Sequence, residues 1–473
     1  VARIGIISFS DGRDFVQEET NTFVAKAEER LADRLRAAGH DVVLAAEPIT
    51  SNELAVREAR RIADARVDLT LFHYAVWAFP HFSALAAAET TGAILLLSNI
   101  DPQYPGMVGM LAAGGSLDQV GRTHSRAWGD IGDDALVRRV SEQARAGHAV
   151  AQLRGSTFGR IGGRSMGMYT AVGNPDTWIA KFGIDVEEID QWEIVRRTEL
   201  QDAARLKAGR EWIERHAASV EYDGKQLTPE ILERQIGSYL AMRELIDEWN
   251  LDFTGIKGQP ELTTHFATMD IAEALLNDPY DWDGPKEPHV CATEVDMDGA
   301  LTMQILKRLS GTPVLFADVR HYWADRNVWD LANSGQHATW YAARSDDPAD
   351  NLGLTRFMPE SFYFPAGGAS VRHFAAPGRM TFARLSRLDG RYRMQVTLGD
   401  VERYDDATNE QLAAASSPEW PHAFARFDAP AEAFLSVFGA NHIHAVPGDW
   451  TAELRSVCRL LDVDYVDLAL VVA

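Results

Sequence analysis

Cysteine is nearly absent, with only Cys291 and Cys458 in 473 residues. Two thiols can build neither a disulfide framework nor a thiolate zinc site. Basic residues are scarce beside the acids: 46 Lys and Arg against 69 Asp and Glu leave a formal charge of −23. A phosphate backbone is repelled by that field, so a nucleic-acid partner is not expected. The acidity favours solubility and the gathering of cations near a site. Long apolar runs are missing too. Runs such as AILLL at 93–97 are far short of the roughly 20 residues that span a bilayer. The opening VARIGIISFSDGRDF has no basic start followed by a long apolar stretch, so no leader is expected and the chain reads as cytoplasmic. No repeat, low-complexity tract or charge block stands out. The glycines of GRIGGRSMGMYT (159–170) do not fit G-x-G-x-x-G, and there is no phosphate-loop motif, so no nucleotide cofactor is expected and a tight strand-to-loop turn is the simpler reading.

What is present is an ordinary globular mix, 46% apolar and 24% charged, long enough for two to four domains. The first 150 residues alternate between apolar strands (3–8, 41–46, 67–74, 93–99) and helices such as 14–39 and 51–66. Continuous apolar strands separated by helices imply a parallel sheet covered on both faces, a Rossmann-like or flavodoxin-like domain over 1–153. The pattern restarts over 154–310. A helix at 228–250 has Thr228 as N-cap and Pro229 at its first position. Strands at 251–259 and 289–294 and a helix around 264–277 complete a second α/β domain. From 311 to 473 the composition shifts to an antiparallel β-rich domain with one or two terminal helices. Within it, RMTFARLSRL and RYRMQVTLGDV flank Asp-Gly, a hairpin signal.

In parallel α/β sheets ligands gather at the carboxyl ends of strands. Asp11, Arg13, Trp77, Gln259, Glu294 and Asp318 fall at such ends. Arg13 opposes the helix macrodipole where it stands, which asks for another reason, or it is simply solvated. Glu294 and Asp318 end successive strands of what reads as one βαβ unit. Two carboxylates with an imidazole make a hard-cation site. His442 and His444, two apart, share one face of a strand; each is otherwise a structural histidine. Asp296 or Asp298 is expected to cap the helix that follows. Met166 and Met168 read as core or as flexible lining for a sugar ring.

GGRSMGMYTA (162–171), IKGQ (256–259), CATEVDMDGALTMQIL (291–306), GTPVLFADVRHYW (311–323), NSG (333–335) and GANHIHA (439–445) together resemble the L-fucose isomerase family. The resemblance implies two Rossmann-like domains and a barrel-like C-terminal domain, in a homohexamer. It also implies a manganese-dependent aldose–ketose isomerase working through an enediolate on L-fucose or D-arabinose. By the same motifs, Glu294, Asp318 and His442 would hold Mn2+, with Glu294 and Asp318 as the acid/base pair. Arg13, Gln259, Ser334, Tyr363, Trp420 and Asn441 would contact sugar, while Trp77 and Met166 would reach a neighbouring subunit's site. The chain is shorter than well-known bacterial members, mostly in the C-terminal domain, which leaves another aldose open, including an anionic one such as a 6-sulfonated hexose. A non-enzymatic sugar-binding module and a metal-dependent lyase or hydrolase are the readings from other classes.

Overall fold

A computed structural model describes residues 1–334 and 337–472 and divides into two compact units, which are described separately. Unit 1 comprises Val1–Gln152 and Ala452–Asp462. Its sheet runs Asp41–Leu44, Arg3–Phe9, Leu69–Tyr74, Ala93–Ser98, Ser125–Trp128, every pairing parallel. Every residue of Leu69–Tyr74 and Ala93–Ser98 is buried, which accounts for their largely apolar sequences. Ile4 and Ile6 pack with Leu31, Leu35 and Val140 on one side. Ile7 and Phe9 pack with Ala59, Phe82 and Met110 on the other. Helices therefore cover both faces. The late segment Ala452–Asp462 joins this unit through Glu453, which accepts from Arg145 at 2.6 Å, and Ser456, which accepts from Gln143 at 2.6 Å.

Unit 2 comprises Leu153–Thr451 and Val463–Ala473. One sheet is parallel, in the order Cys291–Thr293, Phe253–Ile256, Thr157–Ile161, Asp185–Ile189. A seven-stranded sheet is β-rich and mostly antiparallel: Gly378–Leu388, His442–Pro447, Leu315–Trp323, Val328–Ala332, His422–Phe427, Arg391–Glu402 and Asp464–Asp467. Gly378–Leu388 also pairs with Arg391–Glu402, so six strands form a closed cycle of pairings. Asp389 and Gly390 at the hairpin tip have φ of 50° and 77°, the two left-handed residues that a tight hairpin turn needs.

Two expectations are corrected. Glu294 and Asp318 do not belong to one βαβ unit. The helix Met297–Ser310 leaves the parallel sheet, and Leu315–Trp323 pairs antiparallel with Val328–Ala332 and His442–Pro447 in the other sheet. Asp318 lies within its strand and not at the end. The helix expected around 264–277 is two, Glu261–His265 and Asp270–Asn277. Thr228 does cap Pro229–Trp249, accepting from Ile231 N at 3.3 Å. Among the described residues no helix is long and apolar enough to cross a membrane.

Candidate active site

Glu294 follows the last residue of Cys291–Thr293, and the chain turns there in a costly way. Glu294 and Val295 both have positive φ, 56° and 49°. For a β-branched residue that conformation is a true outlier, and each such residue costs on the order of 1–3 kcal/mol. It is held by burial of Val295 and by a 2.9 Å bond from Val295 N to Ile256 O on the neighbouring strand. The turn lifts Glu294 off the sheet and delivers Asp296 to the start of Met297–Ser310, where it accepts from Gly299 N at 2.9 Å.

Capping is the smaller part of what Asp296 does. Its carboxylate is fully buried and accepts two bonds from the equally buried Arg384, through Nη1 and, at 3.1 Å, through Nη2. It also meets His442 Nδ1 at 2.6 Å. Burial alone would raise the Asp296 pKa, but the Arg384 charge and the His442 bond hold it below its ordinary 3.8. With Nδ1–H donating to Asp296, the other ring nitrogen is left to point outward. His442 Nε2 lies 3.0 Å from Glu294 Oε2 and 3.4 Å from Asp318 Oδ1. The alignment is poor, however, and this buried atom has no true hydrogen-bond partner.

The third group arrives by register. Asp318 stands directly across from His442 on one side and from Ala332 on the other. Asn333 Nδ2 donates to its Oδ2 at 2.9 Å, and Asn441 Nδ2 to its Oδ1 at 3.1 Å. Withdrawal from water raises the Asp318 pKa, helped by the nearby Glu294 charge and opposed by His442 and the two amides. For His442, burial favours the neutral ring, but its carboxylate neighbours outweigh burial and push its pKa up to about 10. Two carboxylate oxygens and an imidazole nitrogen are donors suited to a hard or intermediate divalent cation, and the Asp296–imidazole bond is the usual outer support of such a ligand. Among the described residues, no group of three His, Cys, Asp or Glu already stands in ligand geometry. Glu294 and Asp318 stand 3.0 and 3.4 Å from the imidazole Nε2. The chemistry of the set fits a divalent cation, and the orphaned Nε2 is the observation that supports the fit.

Around this core, Asn441 also reaches Met168 Sδ at 3.8 Å. Ser334 donates to Asn333 Oδ1 through its backbone N at 2.8 Å; Gly335 of the same string lies outside the described residues. Gln259 lies beyond Phe253–Ile256, the strand next to Cys291–Thr293, and its backbone O accepts from Ser165 at 3.4 Å. Met166, left-handed at φ 41°, is exposed. Tyr363 is exposed beside Phe362, whereas Trp420 is buried, its Nε1 donating to Glu360 at 3.0 Å. Arg13 and Trp77 belong to unit 1. Arg13 forks Asp11 with bonds of 2.9 and 2.6 Å, which supplies the reason for a cation at a helix start. Trp77 is half-buried after Leu69–Tyr74.

The sequence reading missed Asn333, Arg384 and the site role of Asp296. Arg384 had a signal: it is the one cation inside the apolar run MTFARL. Asn333 had only its place beside Ser334.

Three stretches of the chain match profiles described as the L-fucose isomerase first N-terminal domain (1–155), second N-terminal domain (244–311) and C-terminal domain (331–469). Curated proteins named L-fucose isomerase from Klebsiella pneumoniae (strain 342) and Salmonella heidelberg (strain SL476) are 27% identical over 387 residues. The match covers 67% of this chain and 66% of each relative.

Proposed function

The chain belongs to the L-fucose isomerase family, and from that premise we propose that it is a manganese-dependent aldose–ketose isomerase acting on sugars of the L-fucose and D-arabinose type. The observation that carries the reading is the approach of Glu294 and Asp318 to one imidazole nitrogen, His442 Nε2, at 3.0 and 3.4 Å. Moving a carbonyl from carbon 1 to carbon 2 requires a C–H proton to leave one carbon and a proton to arrive at the next. Two carboxylates facing the same few ångströms can exchange the roles of base and acid. Burial raises the proton affinity of Asp318 above that of an ordinary carboxylate, which suits it to take up a proton, while Asn333 and Asn441 fix its orientation. Asp296 holds the imidazole with Nδ1 protonated, so Nε2 is the ligand atom. Glu294, Asp318 and His442 would hold the ion, whose charge stabilises the negative charge that develops on the sugar oxygens in an enediolate.

The 2-1-3-4-5 order of the first sheet supports a flavodoxin-like first domain, and the closed cycle of six strands supports a barrel-like C-terminal domain. By family likeness we read the assembly as a cytoplasmic homohexamer with sites shared between subunits. The test is a substrate profile. Protein stripped of metal, verified by elemental analysis, is assayed on a panel of aldoses before and after addition of manganese or zinc. Inactivity without metal, better recovery with manganese than with zinc and, among neutral aldoses, a maximum on L-fucose or D-arabinose are expected. Full activity in the stripped protein, or no turnover of any aldose, overturns the proposal.

A further inference from the structure

Two residues beyond Asp318 the strand Leu315–Trp323 slips out of register. Asp318 pairs with Ala332 and Val319 with Leu331, but His321 takes Asp330, so Arg320 has no opposite number. A bulge of this kind swings a side chain out of the pleat and is frequent beside active sites. Arg320 is exposed, its guanidinium carbon lies 5.0 Å from the centre of the Trp420 ring, and among the described residues it makes no hydrogen bond or ion pair. Its neighbours in kind behave differently: Arg13, Arg372, Arg384 and Arg387 each contact a carboxylate. A chain with a net charge of −23 therefore leaves this cation uncommitted two positions from a candidate ion ligand.

The guanidinium is also held in place. Trp420, only 7% exposed, is anchored from behind by its bond to Glu360 and packs on Phe364 at 6.4 Å. Glu360 is itself buried and accepts from Trp420 and from Ser361 N at 3.0 Å, and among the described residues it makes no ion pair with the arginine. The face Trp420 could offer to a sugar is partly covered by Arg320. What this wall presents to solvent is a planar fork of N–H donors, the group that binds carboxylate, phosphate or sulfonate through two parallel bonds.

We propose that Arg320 is a specificity-determining residue that takes an anionic group on the end of the aldose remote from its carbonyl. The proposal rests on the isomerase reading and extends its substrate class, since L-fucose and D-arabinose carry no such group. The test compares a neutral aldohexose with its 6-carboxylate, 6-phosphate and 6-sulfonate counterparts of the same configuration. The manganese-loaded protein and its Arg320→Gln and Arg320→Lys variants are measured by turnover and by calorimetric binding. A charged hydrogen bond is worth about 1.5–3 kcal/mol, about 10- to 150-fold. The wild type is expected to prefer at least one anionic sugar by that factor in kcat/KM. Arg320→Gln should bring the anionic-to-neutral ratio close to one, and Arg320→Lys should restore part of it. The three anionic arms identify which group is taken. Binding separates the two readings: tight binding of an anionic aldose that Arg320→Gln abolishes, without turnover, upholds the arginine and overturns the isomerase. A wild type that binds and turns over neutral and anionic sugars alike, or an Arg320→Gln variant that keeps the preference, overturns the proposal.

Discussion

Replacing Asp296 with Asn keeps the shape of a side chain on which four donors converge and removes its charge. The four are Gly299 N, Arg384 Nη1 and Nη2, and His442 Nδ1. The amide has one acceptor oxygen in place of two, and its NH2 group would face a donor. Arg384 is fully buried, and its other contacts, Thr170 O at 2.9 Å and His444 Nε2 at 3.2 Å, carry no charge to balance it. Removing one member of a buried ion pair costs about 3–5 kcal/mol, because the other charge is left in a dry interior. The amide oxygen can keep the bond to Gly299 N, so no separate capping loss is added. Urea unfolding of the metal-free protein should therefore show Asp296→Asn destabilised by about 3–5 kcal/mol. Asp296→Asn/Arg384→Met should recover part of that loss. Since Asp296 also orients His442, calorimetric manganese affinity should fall about 10- to 100-fold. The acid limb gives a third readout. The Asp296 pKa is depressed in the folded state, so its contribution is present above its ordinary 3.8 and is lost as pH falls below that value. The variant should lack that component of acid sensitivity. A loss below about 1 kcal/mol, the range of exposed ion pairs, would refute the reasoning, since the carboxylate would then not be what balances Arg384.

Three further outcomes are expected. Turnover in heavy water should place deuterium on carbon 1 of the ketose, and Glu294→Gln and Asp318→Asn should each lose at least about 10²–10⁴-fold in rate; complete retention of the substrate's own hydrogen over repeated turnovers would leave the two carboxylates as ion ligands only. Because the pKa of His442 is raised from 6.5 to about 10, its stabilisation of the metal-free protein should be full below pH 6.5 and lost as pH rises toward 10. Manganese binding near pH 7.5 should then release a proton, seen as a calorimetric heat that depends on buffer ionisation; a buffer-independent heat counts against a protonated imidazole. Finally, exchange of subunits between inactive Trp77→Ala and His442→Ala proteins should restore some activity if each site draws on two subunits, and mixed oligomers that stay inactive would argue that it does not.

The parts of the fold that the sequence announced are those whose signal is local. Leu69–Tyr74 and Ala93–Ser98 are mostly apolar because both faces are covered. Thr228-Pro229 and Asp389-Gly390 carry their own stereochemistry. The carboxylates were visible because each sits next to an apolar strand. What stayed hidden was partnership: nothing in GTPVLFADVR says whether it joins the sheet before it or the one after it, so Asp318 was given the wrong neighbours. The broken helix near 264–277 was hidden for a related reason, since its apolar periodicity runs on through Phe266–Met269. Arg384 and Asp296, separated by 88 residues, could not be matched by spacing at all.

The closed cycle of strand pairings has a consequence for the order in which the protein takes shape. His442–Pro447 lies between Leu315–Trp323 and Gly378–Leu388, two strands made much earlier in synthesis. Until it arrives, those two have no shared neighbour, the cycle stays open, and Asp318 and Asp296 both lack the imidazole that each faces in the finished molecule. A ribosome that has delivered both parallel sheets and five of the seven strands of the later sheet has still not delivered the strand that carries His442. Contacts this distant along the chain are slow to form, so the cluster of Asp296, Asp318 and His442 is completed by one of the last strands.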